Sequence, residues 1–251
     1  MDVVFCSGDG MKLAVITGGG RGIGAATTRR LAKEGYRIII TYNTDSQSAE
    51  NVIADIREEG CDCVAVKVDC SDVAEVMVMA EHPWIKKGVD ALVLNHATYM
   101  RRRATKLDLE SLEHTMDINF TGSFRVWSAL SRFMKDDASI VVVGSQLGLK
   151  GTPTGADYAA SKGALHAWAR SLALDVAGRG QRVNVVAPGT IDTDLVAGDT
   201  PEKRQSRNEE IPLGRLGEAD EVASVISFLL SNNASYMTGS IVHVNGGLYR
   251  P

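Results

Sequence analysis

At 251 residues, with 44% hydrophobic and 23% charged side chains, the chain is long enough for one large α/β domain with a well-buried core. Its formal charge of −4 lacks the basic excess of a nucleic-acid binder, and no apolar run approaches the length of a membrane span. Residues 1–10 have neither the basic region nor the long apolar core of a signal peptide. The four cysteines, Cys6, Cys61, Cys63 and Cys70, fit a reducing, cytoplasmic setting rather than a disulfide scaffold. Cys61-Asp62-Cys63 lacks the second Cys/His pair that zinc requires, and reads as small buried residues beside a strand.

Residues 1–11 read as an N-terminal extension with no assignable element, and residues 12–251 as one domain. An apolar run of strand length, Leu13-Ala14-Val15-Ile16, leads into Thr17-Gly18-Gly19-Gly20-Arg21-Gly22-Ile23-Gly24, and residues 25–34 read as a helix. Strand, glycine turn and helix are the context of a phosphate-binding fingerprint. Glycine there permits a tight turn and a close backbone approach to a pyrophosphate, while the new helix presents free N–H groups to the anion. A P-loop is excluded, because Ala25-Ala26 stand where Lys and Ser/Thr would have to be. Two dinucleotide spacings fit instead. G-x-G-x-x-A runs through Gly20, Gly22 and Ala25; T-G-x-x-x-G-x-G runs through Thr17, Gly18, Gly22 and Gly24.

Further strands are predicted over residues 36–41, 63–68, 91–94, 139–143, 183–186 and 241–244. Helices are predicted over residues 45–59, from a cap at Ser71 onward, over 108–132 as two helices or one bent one, over 158–177 with Gly178 and Gly180 at its end, and over 218–230. Glu81-His82-Pro83-Trp84 breaks the pattern, and the polar segment 192–210 reads as an irregular, mobile flap. Strands alternating with helices imply βαβ units with right-handed crossovers: a Rossmann-type doubly wound α/β sheet of about seven mostly parallel strands.

Tyr158 and Lys162 stand at i and i+4, on one helical face. A free tyrosine titrates near ~10, and a neighbouring ammonium stabilises tyrosinate and lowers that value. Such a pair can give a proton to a carbonyl oxygen or take one from an alcohol. By spacing alone a solvated surface pair is the commoner outcome. Ser145, just beyond the fifth strand, lies at a carboxyl end where ligands bind in open α/β sheets, and its hydroxyl can donate to a substrate oxygen. Asn119 lies mid-helix, where asparagine is unfavourable unless its side chain has a partner or marks a bend.

Taken together, Asn119, Ser145, Tyr158 and Lys162 resemble the catalytic tetrad of the short-chain dehydrogenases/reductases. Asp69 resembles the family residue beside the adenine, Asn95-His96-Ala97 the Asn-Asn-Ala-Gly motif, and Pro188-Gly189-x-x-x-Thr193 the segment that meets the nicotinamide amide. The resemblance covers residues 12–249. Ile211-Pro212-Leu213-Gly214-Arg215 and His243-Val244-Asn245-Gly246-Gly247 look most like the family's 3-oxoacyl-[acyl-carrier-protein] reductases. It implies hydride exchange at a carbonyl or secondary alcohol, with Tyr158 as acid/base. Lys162 would lower the tyrosine pKa and hold the nicotinamide ribose, Ser145 would orient the substrate oxygen, and Asn119 would hold a water on the path to Lys162. Cofactor contacts are implied at Gly18, Gly20, Arg21, Gly22, Ile23 and Gly24, at Tyr42 and Asn43, and at Asp69 and Cys70. The same holds for Asn95, His96 and Ala97, for Tyr158 and Lys162, and for Pro188, Gly189, Ile191 and Thr193. A homotetramer is implied as well.

An NAD site wants an acid at the end of the second strand to bind the ribose hydroxyls. This chain offers Thr41-Tyr42-Asn43 there, and Arg21 in the glycine turn can pair with a 2′-phosphate, so the argument favours NADP(H) over NAD(H). Three departures stand out. Thr98 replaces a glycine and His96 an asparagine of the family motif, His96 reading as a packing or backbone-satisfying residue. Leu174 stands where carrier-protein reductases often carry a basic residue. Arg101-Arg102-Arg103 lies near the expected rim of the pocket, as an attractor of anions or a solvated basic turn. The leading expectation is an NADPH-dependent ketoreductase acting on a small-molecule or acyl-thioester carbonyl. The alternatives are an NAD-dependent alcohol or sugar dehydrogenase, and a cofactor-binding protein without turnover.

Overall fold

In β1 (Leu13–Ile16), Leu13 and Val15 belong to one buried apolar cluster and Ala14 and Ile16 to another. Side chains alternate across a strand, so a strand that is apolar at every position must be covered on both faces. The computed structural model, which describes residues 10–250, builds that arrangement around a single sheet. The expected extension over residues 1–11 lies almost wholly outside the described residues.

The strands are β1, β2 (Arg37–Tyr42), β3 (Cys63–Lys67), β4 (Val89–Leu94), β5 (Met134–Val143), β6 (Arg182–Pro188) and β7 (Ile241–Val244). Their spatial order is β3-β2-β1-β4-β5-β6-β7, and every pairing is parallel. The order reverses between β1 and β4, and the crevice at the carboxyl ends there is where an open α/β sheet binds its ligand.

On one face lie α3 (Val73–Ala80), α6 (Gly122–Leu130) and α8 (Ala156–Val176), which contribute Val76, Val126, Leu165 and Leu172 to the core. On the other lie α1 (Gly22–Lys33), α2 (Ser46–Glu58) and α11 (Ala219–Leu230), with Leu31, Ile53, Ile56, Ile226 and Leu229. Each such side chain, fully removed from water, contributes roughly 1.5–3 kcal/mol before chain entropy is set against it.

Several boundaries differ from expectation, each for a local reason. The α3 cap is Asp72, whose carboxylate accepts from the N–H groups of Ala74 (2.7 Å) and Glu75 (3.3 Å); Ser71 bonds to Asp69 instead. After α3, His82 caps the short helix α4 (Pro83–Lys86) through Trp84 N–H. The 108–132 region is α5 (Leu109–Met116), a π-helical turn (Asp117–Thr121), then α6. β5 begins at Met134, five residues early, because exposed Lys135-Asp136-Asp137 masks its start; Asp137 takes φ 62° and the register to β4 shifts there. The segment read as an irregular flap is helical: α9 (Asp194–Ala197) and α10 (Pro201–Glu210) follow the short α7 (Leu147–Lys150) and α8 in chain order.

Candidate active site

Thr17, Asn95, Ser145 and Pro188 stand at or just past the carboxyl ends of β1, β4, β5 and β6, so the predicted site residues gather along one edge of the sheet. The glycine turn is there because nothing larger fits. Gly18 and Gly22 take φ of 62° and 52°, and a Cβ on Gly24 would overlap the Gly18 carbonyl. At the start of α1, Arg21 makes no side-chain cap and the first turn has no acid, so the free N–H groups and the dipole are left for an external anion. The side-chain amide of Asn95 donates to the carbonyls of Thr17 (3.1 Å) and Gly18 (2.9 Å), which ties this turn to the end of β4. Thr193 approaches Gly22 from the segment after β6. These residues fit a dinucleotide pyrophosphate.

The departure at His96 has a structural explanation. Its Nε2 lies 3.1 Å from the carbonyl of Ile118, which can only accept, so Nε2 carries the proton. Nδ1 then accepts the Thr17 hydroxyl at 2.7 Å. Burial pushes the ring down to about 4, so it is neutral. His96 thus bridges β1 to the π-turn, the backbone-satisfying role suggested by the sequence.

On the adenine side, Asp69 accepts from the N–H (2.8 Å) and hydroxyl (2.6 Å) of Ser71 and bonds Asn43; these contacts, Ser71 foremost, hold its carboxyl below the usual range. Cys70 is buried and its thiol is pushed up to about 12 by desolvation. Tyr42 closes β2, Ala97 is exposed past β4, and Arg21 is exposed beside the glycines. Arg21 is also close enough to Asp45 to lower that carboxyl, after the larger effect of the Ser48 bonds.

The reactive group is built around α8. Lys162 is 1% exposed; its Nζ donates to the Val143 carbonyl at 2.7 Å and stands 5.5 Å from the centroid of the Tyr158 ring. Burial pushes Lys162 down to about 7. Tyr158 is pushed up to about 12, because desolvation outweighs its hydrogen bond with Ser145. Desolvation acts on both partners, raising Tyr158 and lowering Lys162. The Ser145 hydroxyl oxygen accepts from Leu147 N–H at 3.1 Å, which leaves its own proton to donate.

Asn119 sits inside the π-turn, fully buried, and its carboxamide is engaged on protein. Oδ1 accepts from Thr98 N–H (2.7 Å), and Nδ2 donates to the Thr98 carbonyl (3.0 Å) and to Ser161 Oγ (2.9 Å). The side chain clamps the β4 loop to α8. Thr98, held at both backbone groups, needs no left-handed conformation, so a residue with a Cβ is tolerated there.

Beyond β6, the Pro188 carbonyl accepts from Gln146 N–H (3.1 Å), Gly189 packs on Asn245, and Ile191 is buried and bridged to Gly217. Two features escaped the sequence. Tyr99 packs on Tyr158 with ring centroids 4.6 Å apart, and its hydroxyl donates to the Thr154 carbonyl at 3.1 Å. Asp199, whose side chain is 1% exposed, gathers Arg101 (2.9 Å), Lys203 (2.8 Å) and Arg207, so the flap is tied to the basic β4 loop. The Tyr99–Tyr158 and Arg101–Asp199 contacts are made across loops that no spacing signals; only Asp199–Lys203 stands at i, i+4.

The profile of the family described as enoyl-(acyl carrier protein) reductase matches residues 18–249. The chain is 35% identical to the 3-oxoacyl-[acyl-carrier-protein] reductase FabG of Escherichia coli over 241 residues, covering 95% of this chain and 97% of that one. It is 32% identical to the FabG of Staphylococcus aureus, covering 95% and 98%. Among solved structures, a blue fluorescent protein from a metagenomic library in complex with NADPH superposes with a TM-score of 0.89 at 34% identity, covering 95% of this chain and 98% of that one. A short-chain dehydrogenase from Burkholderia cenocepacia in complex with NADP gives 0.89 at 31%, covering 94% and 97%.

The chain is a short-chain dehydrogenase/reductase.

As a member of that family it is an NAD(P)-dependent oxidoreductase acting on carbonyl or alcohol groups. Its fold is the family's Rossmann-type sheet. Among the described residues, no group of three or more His, Cys, Asp or Glu is placed to hold a metal, and no helix is long and apolar enough to cross a membrane.

Proposed function

We propose that the chain is an NADPH-dependent ketoreductase that reduces a ketone, such as a β-ketoacyl thioester, to a secondary alcohol. The observation that carries the reading is the convergence of Ser145, Tyr158 and Lys162 at the carboxyl end of β5, beside an uncapped helix N-terminus and its glycine turn. NADPH, when bound, supplies the hydride. Gly18, Gly20, Gly22, Ile23 and Gly24 would hold its pyrophosphate, Arg21 and Asn43 the 2′-phosphate end, and Tyr42, Asp69, Cys70 and Ala97 the adenosine side. Lys162, Pro188, Gly189, Ile191 and Thr193 would hold the nicotinamide end.

Tyr158, kept protonated by its surroundings, delivers the proton to the carbonyl oxygen; that direction suits reduction. Ser145 donates its free hydroxyl proton to the same oxygen and orients it. Lys162, near neutrality in its pKa, can return a proton to Tyr158. Asn119 contributes by fixing Thr98 and Ser161 on either side of the site.

One observation favours a second reading, an NAD-dependent alcohol or sugar dehydrogenase: Asp45 stands near Arg21 and competes with a phosphate for it. Parallel titration with NADPH and NADH, followed by protein fluorescence, separates the two. The proposal expects NADPH to bind at least about tenfold tighter, the equivalent of about 1.4 kcal/mol. A preference for NADH sinks the NADPH assignment, and unchanged preference and affinity in Arg21→Ala sinks Arg21 as the 2′-phosphate contact.

A further inference from the structure

Beneath the turn that carries Ser145 lies a histidine that the scheme above does not use. His166 is one helical turn beyond Lys162 on α8 and is buried, 3% exposed. Its ring occupies space left by two glycines: a Cβ on Gly144 would overlap Nε2, and one on Gly148 would stand 3.0 Å from Cε1. The N–H of Ser145 points at Nε2 across 3.3 Å. An N–H bonds only to a lone pair, so Nε2 is bare and a neutral ring must carry its proton on Nδ1. Burial first, then the nearby cationic groups Lys162 and Arg170, push the ring down to about 4, so it is neutral at pH 7.

The Ser145 turn is consequently held at two points. His166 holds the amide from the core side, and Leu147 N–H holds the hydroxyl oxygen at 3.1 Å. The imidazole supplies the acceptor for this amide, while the N–H groups on either side of it, of Gly144 and Gln146, bond across to the Val186 (2.8 Å) and Pro188 (3.1 Å) carbonyls of β6.

We propose that His166 is a positioning residue for Ser145: a neutral imidazole acceptor that fixes the serine amide and, through it, the direction of the hydroxyl toward Tyr158 and the substrate oxygen. The proposal rests on the ketoreductase reading for the role of Ser145. A buried histidine kept only for its volume would be replaceable by any side chain of similar size. One kept as an acceptor is replaceable only by another acceptor.

His166→Leu retains bulk and removes the acceptor; His166→Gln retains a carbonyl oxygen. The expected result in the full-length enzyme is a kcat lower by about tenfold or more in His166→Leu, with NADPH affinity within about twofold and KM little changed, and recovery to within about fivefold of wild type in His166→Gln. Unchanged kcat in a folded His166→Leu enzyme overturns the proposal, as does an equal loss in both variants, which would mark a packing role. Nitrogen NMR of ring-labelled wild-type protein gives a readout independent of folding variants and of turnover. A neutral Nδ1–H tautomer at pH 7 supports the assignment, and an Nε2–H tautomer or an imidazolium overturns it. Because that signal needs no substrate, it stays readable even if the enzyme reduces no ketone, so the two failures are distinguishable.

Discussion

Tyr158 is flanked by Ser145, which bonds its hydroxyl, and by Tyr99, whose ring covers one side of it. Tyr99 is anchored at its far end on Thr154 and leaves no room for a side chain at Gly155, so it forms a fixed aromatic wall beside the reacting oxygen. A wall of that size should limit the bulk of the group next to the carbonyl. Tyr99→Ala is expected to raise kcat/KM for bulky over small ketones by about tenfold or more, while Tyr99→Phe, which keeps the ring, leaves the ratio within about twofold. Competing-substrate assays of NADPH consumption measure it; an unchanged ratio in Tyr99→Ala rejects the wall. The convergence of Ser145, Tyr158 and Lys162 was legible in the sequence, because short spacings tie them to a strand end and a helix. Tyr99 and His166 carry no such mark: a tyrosine after a strand or a histidine on a half-apolar helix is common, and only the tertiary approach gives each its role.

At the level of elements, the flap shows what periodicity misses. α10 has almost no apolar residues to reveal a period, and its helix is declared only by Thr200 capping Lys203 N–H and by Pro201 in the first turn. What holds it down is charge. Burial alone would raise the Asp199 carboxyl, but bonds from Lys203, Arg101 and Arg207 outweigh it and keep that group well below the usual carboxylate range. A depressed carboxylate stabilises the closed flap above the ordinary Asp range near ~3.9 and loses that contribution as pH falls further. Asp199→Asn removes it at every pH. The variant is expected to raise substrate KM by about tenfold, leave cofactor affinity within about twofold, and open residues 192–210 to proteolysis at pH 7. Wild-type KM and wild-type protease resistance in Asp199→Asn contradict the latch. The π-turn was equally hidden, although Asn119 hinted at it: a buried mid-helix asparagine needs partners, and the widened turn lets it reach Thr98 and Ser161.

For the whole molecule, the alternation of strand and helix was enough to read a doubly wound parallel sheet, because a strand buried on both faces leaves few other architectures. The surface was less legible. Leu174 is 83% exposed on α8, and Phe124, exposed on α6, packs edge-on against the partly buried Trp168. Phe228 and Tyr236 are exposed on and after α11. Apolar side chains on two separate faces are what an assembly with two kinds of interface would cover, and we propose a homotetramer. Light scattering at micromolar concentration should give a particle of four chains, and Leu174→Glu should yield a smaller one. A monomeric wild type contradicts the assembly. The same Leu174 leaves no cation at that point for an acyl carrier, and of the basic residues after β4, Arg101 and Arg102 are already ion-paired to Asp199 and Asp108.

The most direct test of the account is Tyr158→Phe, with NADPH affinity and ketone reduction measured on the same preparation. The account predicts NADPH binding within about twofold of wild type and a kcat lower by about 10²–10⁴-fold, the contribution of a positioned proton donor. A variant that binds NADPH and reduces the ketone at the wild-type rate would contradict it.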